Sequence, residues 1–76
     1  MIEAYILIKA EAGKVSNVAS QLRAIQGVKS VSAITGPADL IAQVEAGDPQ
    51  QLAELVMGNF HKVDGVKETD TRFVVG

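Results

Sequence analysis

From Ile2 to Ala10, Ile2, Ala4, Ile6 and Ile8 fall on one face and Glu3, Tyr5, Leu7 and Lys9 on the other. That two-residue period predicts a strand. Tyr5 and Leu7 make the centre of the second face apolar as well, so burial on both faces is expected. A single layer of helices covers only one of them. Glu11-Ala12-Gly13 breaks the strand, and from Lys14 to Gln26 the spacing becomes helical. Val15, Val18, Ala19, Leu22 and Ile25 turn inward, and Asn17, Gln21 and Arg23 outward. Gly27 stands where a C-terminal cap glycine belongs. Val28 to Thr35 predicts a second strand, polar at Lys29, Ser30 and Ser32 and therefore an edge. Gly36-Pro37-Ala38-Asp39 is turn chemistry, and Leu40 to Glu45 is a third strand, too close to the second for a parallel crossover.

Glu45-Ala46-Gly47 ends that strand, and Asp48-Pro49-Gln50-Gln51 opens a helix. Asp48 is its N-cap, Pro49 the first helical residue and Gln51 the capping-box partner. Leu52, Leu55, Val56, Phe60 and Val63 form its buried stripe. Gly58 lies inside the pattern at a cost of roughly 1 kcal/mol relative to Ala. Asp64-Gly65 closes the helix. Val66 to Val75 is a fourth strand, with Thr69, Thr71, Phe73 and Val75 on one side and Asp70, Arg72 and Val74 on the other.

The order βαββαβ carries a faint duplication. Glu11-Ala12-Gly13 answers Glu45-Ala46-Gly47, and Gly27-Val28-Lys29 answers Gly65-Val66-Lys67. Two β-α-β halves with right-handed crossovers interleave into a four-stranded antiparallel sheet with both helices on one face. The expected fold is thus α+β, a ferredoxin-like βαββαβ sandwich with the first and third strands at the centre, and residues 1–76 form one domain.

Composition narrows the function. A chain of 76 residues buries only a little over ~60% of its unfolded surface. It has no Cys and one His, so disulfides are excluded and oligomerisation is the expected stabiliser. At 47% hydrophobic residues, some apolar area should face another subunit. The net charge of −2 and seven scattered basic residues argue against nucleic-acid binding. Met1 is followed at once by Ile2 and Glu3 with no basic n-region, the apolar runs are too short for a bilayer, and a cytoplasmic protein is expected.

Catalysis has little to work with. There is no Cys nucleophile and no Ser with a plausible His/Asp arrangement, so no catalytic residue is assigned. His61 has no second His or Cys with which to hold a metal, and no cofactor is expected. It reads as a helix-end residue near the negative end of the dipole. Glu68, Asp70 and Arg72 form either a solvated edge ion pair or an inter-subunit contact. Thr69 and Thr71 are either β-branched strand formers or hydroxyls aimed at a ligand. The hairpin turn from Gly36 to Asp39 is the best candidate site. Asp39 could accept from an ammonium, backbone N–H groups around Gly36 and Ala38 could receive a carboxylate, and Gly36 allows close approach. An amino acid carries both charges.

Tyr5-Ile6-Leu7-Ile8, Thr35-Gly36-Pro37-Ala38-Asp39-Leu40 and Val63-Asp64-Gly65-Val66-Lys67-Glu68-Thr69-Asp70-Thr71 together resemble the effector domain of Lrp/AsnC-type transcriptional regulators, the RAM domain. The resemblance covers essentially the whole chain. Its hallmarks are the Gly-x-x-Asp hairpin and the Gly-Val-x-x-Thr-x-Thr run. It implies a dimeric α+β barrel whose sheets pack face to face, with Tyr5, Leu7 and Ile41 at the dimer interface, and dimers assembled into octameric or decameric rings. It also implies an amino-acid effector bound between dimers by Thr35, Gly36, Pro37, Ala38 and Asp39, with Thr69 and Thr71. Ala38 stands where the family has an aromatic. The sequence starts at the first strand, without a helix-turn-helix, so the expectation is a stand-alone RAM protein that senses metabolites or co-assembles with a full-length Lrp/AsnC regulator.

The expected function is a non-enzymatic effector-binding and oligomerisation module linked to transcription regulation. A dimeric ferredoxin-like enzyme of monooxygenase or isomerase type is the alternative. Against it, the helix-facing sheet residues Ile2, Ala4, Ile6, Ile8, Leu40, Ala42 and Val44 include no proton-transfer group. A ligand-free oligomerisation module is the third possibility.

Overall fold

The computed structural model describes residues 1–76. Six regular elements follow in the expected order: β1 (Ile2–Ala10), α1 (Val15–Arg23), β2 (Val28–Ala33), β3 (Leu40–Ala46), α2 (Pro49–Gly58) and β4 (Val66–Phe73), with one 3₁₀ turn at Phe60–Lys62. The sheet order is β2-β3-β1-β4, and every neighbouring pair is antiparallel. The central strands are those whose helix-facing residues are wholly apolar. Ala4, Ile6, Ile8, Leu40, Ala42 and Val44 are fully buried and meet Val18, Leu22, Leu52 and Phe60 from the helical layer. No polar or charged residue is buried.

The duplication seen in the sequence is a structural one. Glu11 N–H donates to the Gly65 carbonyl at 2.8 Å, and Glu45 N–H donates to the Gly27 carbonyl at 2.9 Å. The strand end that precedes each helix is tied to the glycine that follows the other helix, so the two halves are stitched to each other. Each half also carries one extra residue just beyond its glycine. The β1–β4 register runs Lys9↔Glu68 and then Ala10↔Val66, which leaves Lys67 as a bulge. The β2–β3 register runs Ser30↔Gln43 and Val28↔Val44, which leaves Lys29 as the equivalent bulge.

Several expected boundaries shift. The first helix spans Val15–Arg23, not Lys14 to Gln26. Its continuation tightens into i→i−3 hydrogen bonds from Ala24, Ile25 and Val28. Gly27 (φ +98°) therefore does not cap the helix but turns the chain into β2 against Glu45. The second helix ends at Gly58, and Phe60 reaches the core from the 3₁₀ turn. The weakest helix former in the segment, Gly58, marks the place where the helix gives way. β2 stops at Ala33 and β4 at Phe73, two residues short of expectation; β3 offers β2 no further strand residue beyond Leu40, and past Phe73 one hydrogen bond, from Val74 N–H to the Glu3 carbonyl, still ties the chain to β1.

The start of α2 is as expected in kind. Asp48 Oδ1 accepts from Gln51 N–H at 2.8 Å, but the Gln51 amide oxygen reaches Gly47 N–H at 3.0 Å, one residue before the cap. The box thus closes over the preceding glycine.

Candidate functional site

The connection between β2 and β3, residues 34–39, is longer than a tight hairpin turn, and it folds against the end of β1. Asp39 N–H donates to the Ile8 carbonyl (2.9 Å), and Ile34 N–H donates to the Asp39 carbonyl (3.0 Å). The Asp39 side chain leaves its own loop: Oδ2 accepts from Ala10 N–H at 2.9 Å. Ala10 lies at the β1–β4 register shift, and Asp39 supplies the acceptor for its amide. Gly36 adopts φ +117°, and a Cβ there would meet nothing within 4 Å. Backbone conformation, not a crowding protein neighbour, demands the glycine.

An open depression of about 950 Å³ lies beside this connection. One wall is the loop itself, with Ile34, Thr35, Pro37 and Ala38. The floor and second wall come from β1 and β4, with Leu7, Lys9 and the run from Lys67 to Asp70, closed by Arg72. Met57 from α2 and His61 from the 3₁₀ turn complete it. Of the expected ligand residues, Thr35, Pro37, Ala38 and Thr69 line the depression together. Gly36, Asp39 and Thr71 do not line it.

Charges around the depression are mostly paired. Arg72 holds Asp70 with two nitrogens, Nη2 to Oδ2 at 2.8 Å and Nε to Oδ1 at 3.1 Å. These hydrogen bonds keep the Asp70 carboxyl below its usual range and the guanidinium above its own. Lys9 Nζ lies 3.5 Å from Glu68. His61 Nε2 is 2.9 Å from Thr69 Oγ1, a contact absent from the sequence-based picture. Its only trace in the sequence is the pairing of a short polar turn with the polar helix-facing side of β4. No group of three or more His, Cys, Asp or Glu is placed to hold a metal ion.

The expected interface residues share the helix-free face of the sheet. Leu7 stands opposite Ile41 on β3 and Asp70 on β4, and Tyr5 opposite Gln43 and Arg72. Leu7 and Ile41 are half-buried, and Tyr5 is 41% exposed.

Comparison with known proteins adds the context. A family model described as the Lrp/AsnC ligand binding domain matches residues 3–76. An uncharacterised HTH-type transcriptional regulator of Pyrococcus horikoshii is 34% identical over 70 residues, 92% of this chain but 44% of that protein. The chain therefore spans less than half the length of the curated regulators it matches. A homocitrate synthase of Sulfurisphaera tokodaii is 39% identical over 75 residues, 97% of this chain and 16% of the synthase. The crystal structure of TTHA0845 from Thermus thermophilus superposes with a TM-score of 0.95 at 29% identity, covering 100% of this chain and 95% of that one. A Neisseria meningitidis transcriptional regulator in complex with L-Met has the same fold, with a TM-score of 0.89 at 23% identity over 99% of this chain and 50% of that one. With its βαββαβ plait and its Gly36-x-x-Asp39 connection clasped to β1, the chain belongs to the Lrp/AsnC ligand-binding domain family.

Proposed function

We propose that the chain is a non-enzymatic module that binds an amino-acid effector and passes its presence on through assembly. The observation that carries this reading is the depression beside the β2–β3 connection. It combines apolar surface (Ile34, Ala38, Met57) with polar groups (Thr35, His61, Thr69) and charged ones. A small amphiphilic molecule needs that combination. The matched relatives support the same role. One carries the domain in a DNA-binding regulator and another in a synthase. A job common to both is sensing, whereas DNA reading or catalysis would belong to the rest of each protein. The L-Met complex of the Neisseria regulator supports an apolar amino acid as the class of effector. An acid–base enzyme is disfavoured because the interior between sheet and helices is lined by apolar side chains alone.

Assembly is proposed to run through the open sheet face, with Tyr5, Leu7 and Ile41 packed against a second copy, and dimers joined into rings, octamers or decamers, near the depression. Partners would be further copies of the chain or a full-length regulator of the family, in the cytoplasm. Within the site, Thr35, Gly36, Pro37 and Ala38 would present backbone and surface to the effector, with Thr69 on the opposite wall. Asp39, whose Oδ2 is held by Ala10 N–H, would offer its other carboxylate oxygen to an ammonium from outside the lining, and Thr71 extends the same side of β4. Native mass spectrometry with and without the twenty amino acids, together with titration calorimetry, tests the proposal. Saturable binding of an apolar amino acid, with a shift in the distribution of assembly masses, is expected by linkage. Absence of binding across the panel would leave a ligand-free oligomerisation module as the better account.

A further inference from the structure

The two halves of the fold share a faint repeat, and the lysine in it is paired in one half and not in the other. Lys29 and Lys67 follow the same Gly-Val dipeptide and occupy equivalent bulges, each beside a strand end marked by Glu-Ala-Gly. Lys29 is neutralised by the glutamate at the end of the strand it pairs with, with Nζ 2.7 Å from Glu45. For Lys67 the corresponding glutamate, at the end of β1, is Glu11, whose carboxylate is taken by Lys14 at 3.4 Å. Lys67 has no carboxylate within ion-pair distance, although it lines the depression in which Lys9 and Arg72 are both paired. A bulge re-aims a side chain and is over-represented next to functional sites. Beside it, the His61–Thr69 contact leaves donor capacity in either tautomer: if Thr69 Oγ1 donates, Nδ1–H of His61 is left over, and if Nε2–H donates, the threonine hydroxyl is. The only acidic side chains lining the depression, Glu68 and Asp70, already hold cations.

We propose that Lys67, with His61 and Thr69, forms a carboxylate-binding subsite, so that the depression selects its occupant by the acid group and an apolar tail. The ammonium is then dispensable, and keto acids bind as the corresponding amino acids do. This rests on the effector-binding role proposed above and names its recognition chemistry. The carboxylate would meet the Lys67 ammonium and the His61–Thr69 donor, while the tail lies toward Ile34 and Met57.

Titration calorimetry on the full chain tests it with four probes: leucine, methionine and their two keto acids, with isopentylamine as the ammonium-only control. At least one keto acid should bind wild type, and isopentylamine should not. Lys67→Met should weaken keto-acid binding about tenfold, the loss of one charge-assisted contact. Lys67→Arg should recover most of it, and His61→Gln combined with Thr69→Val should weaken it further. Lys29→Met, at the equivalent bulge, should leave affinity unchanged. Native mass spectra of each variant check that assembly is retained. Keto acids that fail to bind wild type, or that bind Lys67→Met equally well, would overturn the subsite. If amino acids still bind, the effector-binding role survives that result. Lys67-dependent binding of keto acids without any amino acid would instead remove the amino-acid effector and keep the subsite.

Discussion

At the residue scale, the clasp that Asp39 makes and the effector contact proposed for it are separated by comparing two substitutions. Its carboxylate accepts from Ala10 N–H, a part-buried, charge-assisted bond between the loop and β1. Removing the acceptor leaves a strand-end amide without a partner, so Asp39→Ala should cost about 1.5–3 kcal/mol of stability even without ligand. Asp39→Asn keeps an acceptor at that position and should recover much of the loss. Chemical denaturation of the three proteins checks this. An Asp39→Ala protein as stable as wild type would show that the clasp contributes nothing. If the Asn variant is stable but binds amino acids more weakly, the charge serves the effector. The Asp70–Arg72 pair makes a second prediction. Because the Asp70 carboxyl is held low by Arg72, the pair adds stability above the ordinary carboxylate range and loses it as pH falls through the lowered value. Arg72→Met should flatten the acid limb of a stability–pH profile. The effect should be small and salt-sensitive, since both groups are exposed.

At the scale of elements, two glycines call for opposite outcomes. Gly58 ends α2 without a positive φ, and a Cβ there would meet nothing within 4 Å. Gly58→Ala should stabilise the domain by roughly 0.5–1 kcal/mol through helix propensity and a less flexible unfolded chain. Gly65 has φ +102°, and an added Cβ would lie 2.9 Å from Val18 Cγ2 and 3.0 Å from Lys14 Cβ. Gly65→Ala combines backbone strain with a clash against α1, so it should destabilise by about 2 kcal/mol or more. Thermal melts of both variants read the two signs. A Gly58→Ala melt below wild type would mean that the 3₁₀ turn needs a flexible hinge to seat Phe60.

At the scale of the whole molecule, the sheet has one covered face and one open one. The open face is apolar at its centre, where Leu7 and Ile41 oppose each other beside Tyr5, and charged toward its ends at Glu3, Lys9 and Glu45. Such a face suits a second copy of the same sheet, with the apolar centre desolvated and the charges at the rim. Leu7→Glu would place a carboxylate at that centre, opposite Asp70 on β4. Burying an unpaired charge there should dissociate the assembly to monomers. Sedimentation at wild-type mass would rule out this face as the interface.

Period and punctuation along the chain were sufficient for the element order, the central place of β1 and β3, the polar edge at β2 and the Asp48 N-cap, because those follow from local propensity and from which faces must be apolar. The resemblance in the hairpin and in the run after Gly65 reached the family for the same reason: the motifs are short and contiguous. What local pattern could not decide was where distant polar groups meet. Asp39 was legible as a special residue, but its tie to Ala10 across 29 positions depends on how the 34–39 connection folds over β1. His61 read as an isolated helix end until the 3₁₀ turn brought it to Thr69. The Gly-Val-Lys repeat was visible, yet only the register showed that both lysines sit on bulges, and only packing assigned Glu45 to one and left the other unpaired. A hydrophobic period records which side of an element is buried. The partner of a polar side chain depends on the angle and register at which separate elements dock, and that information exists only once the chain has folded.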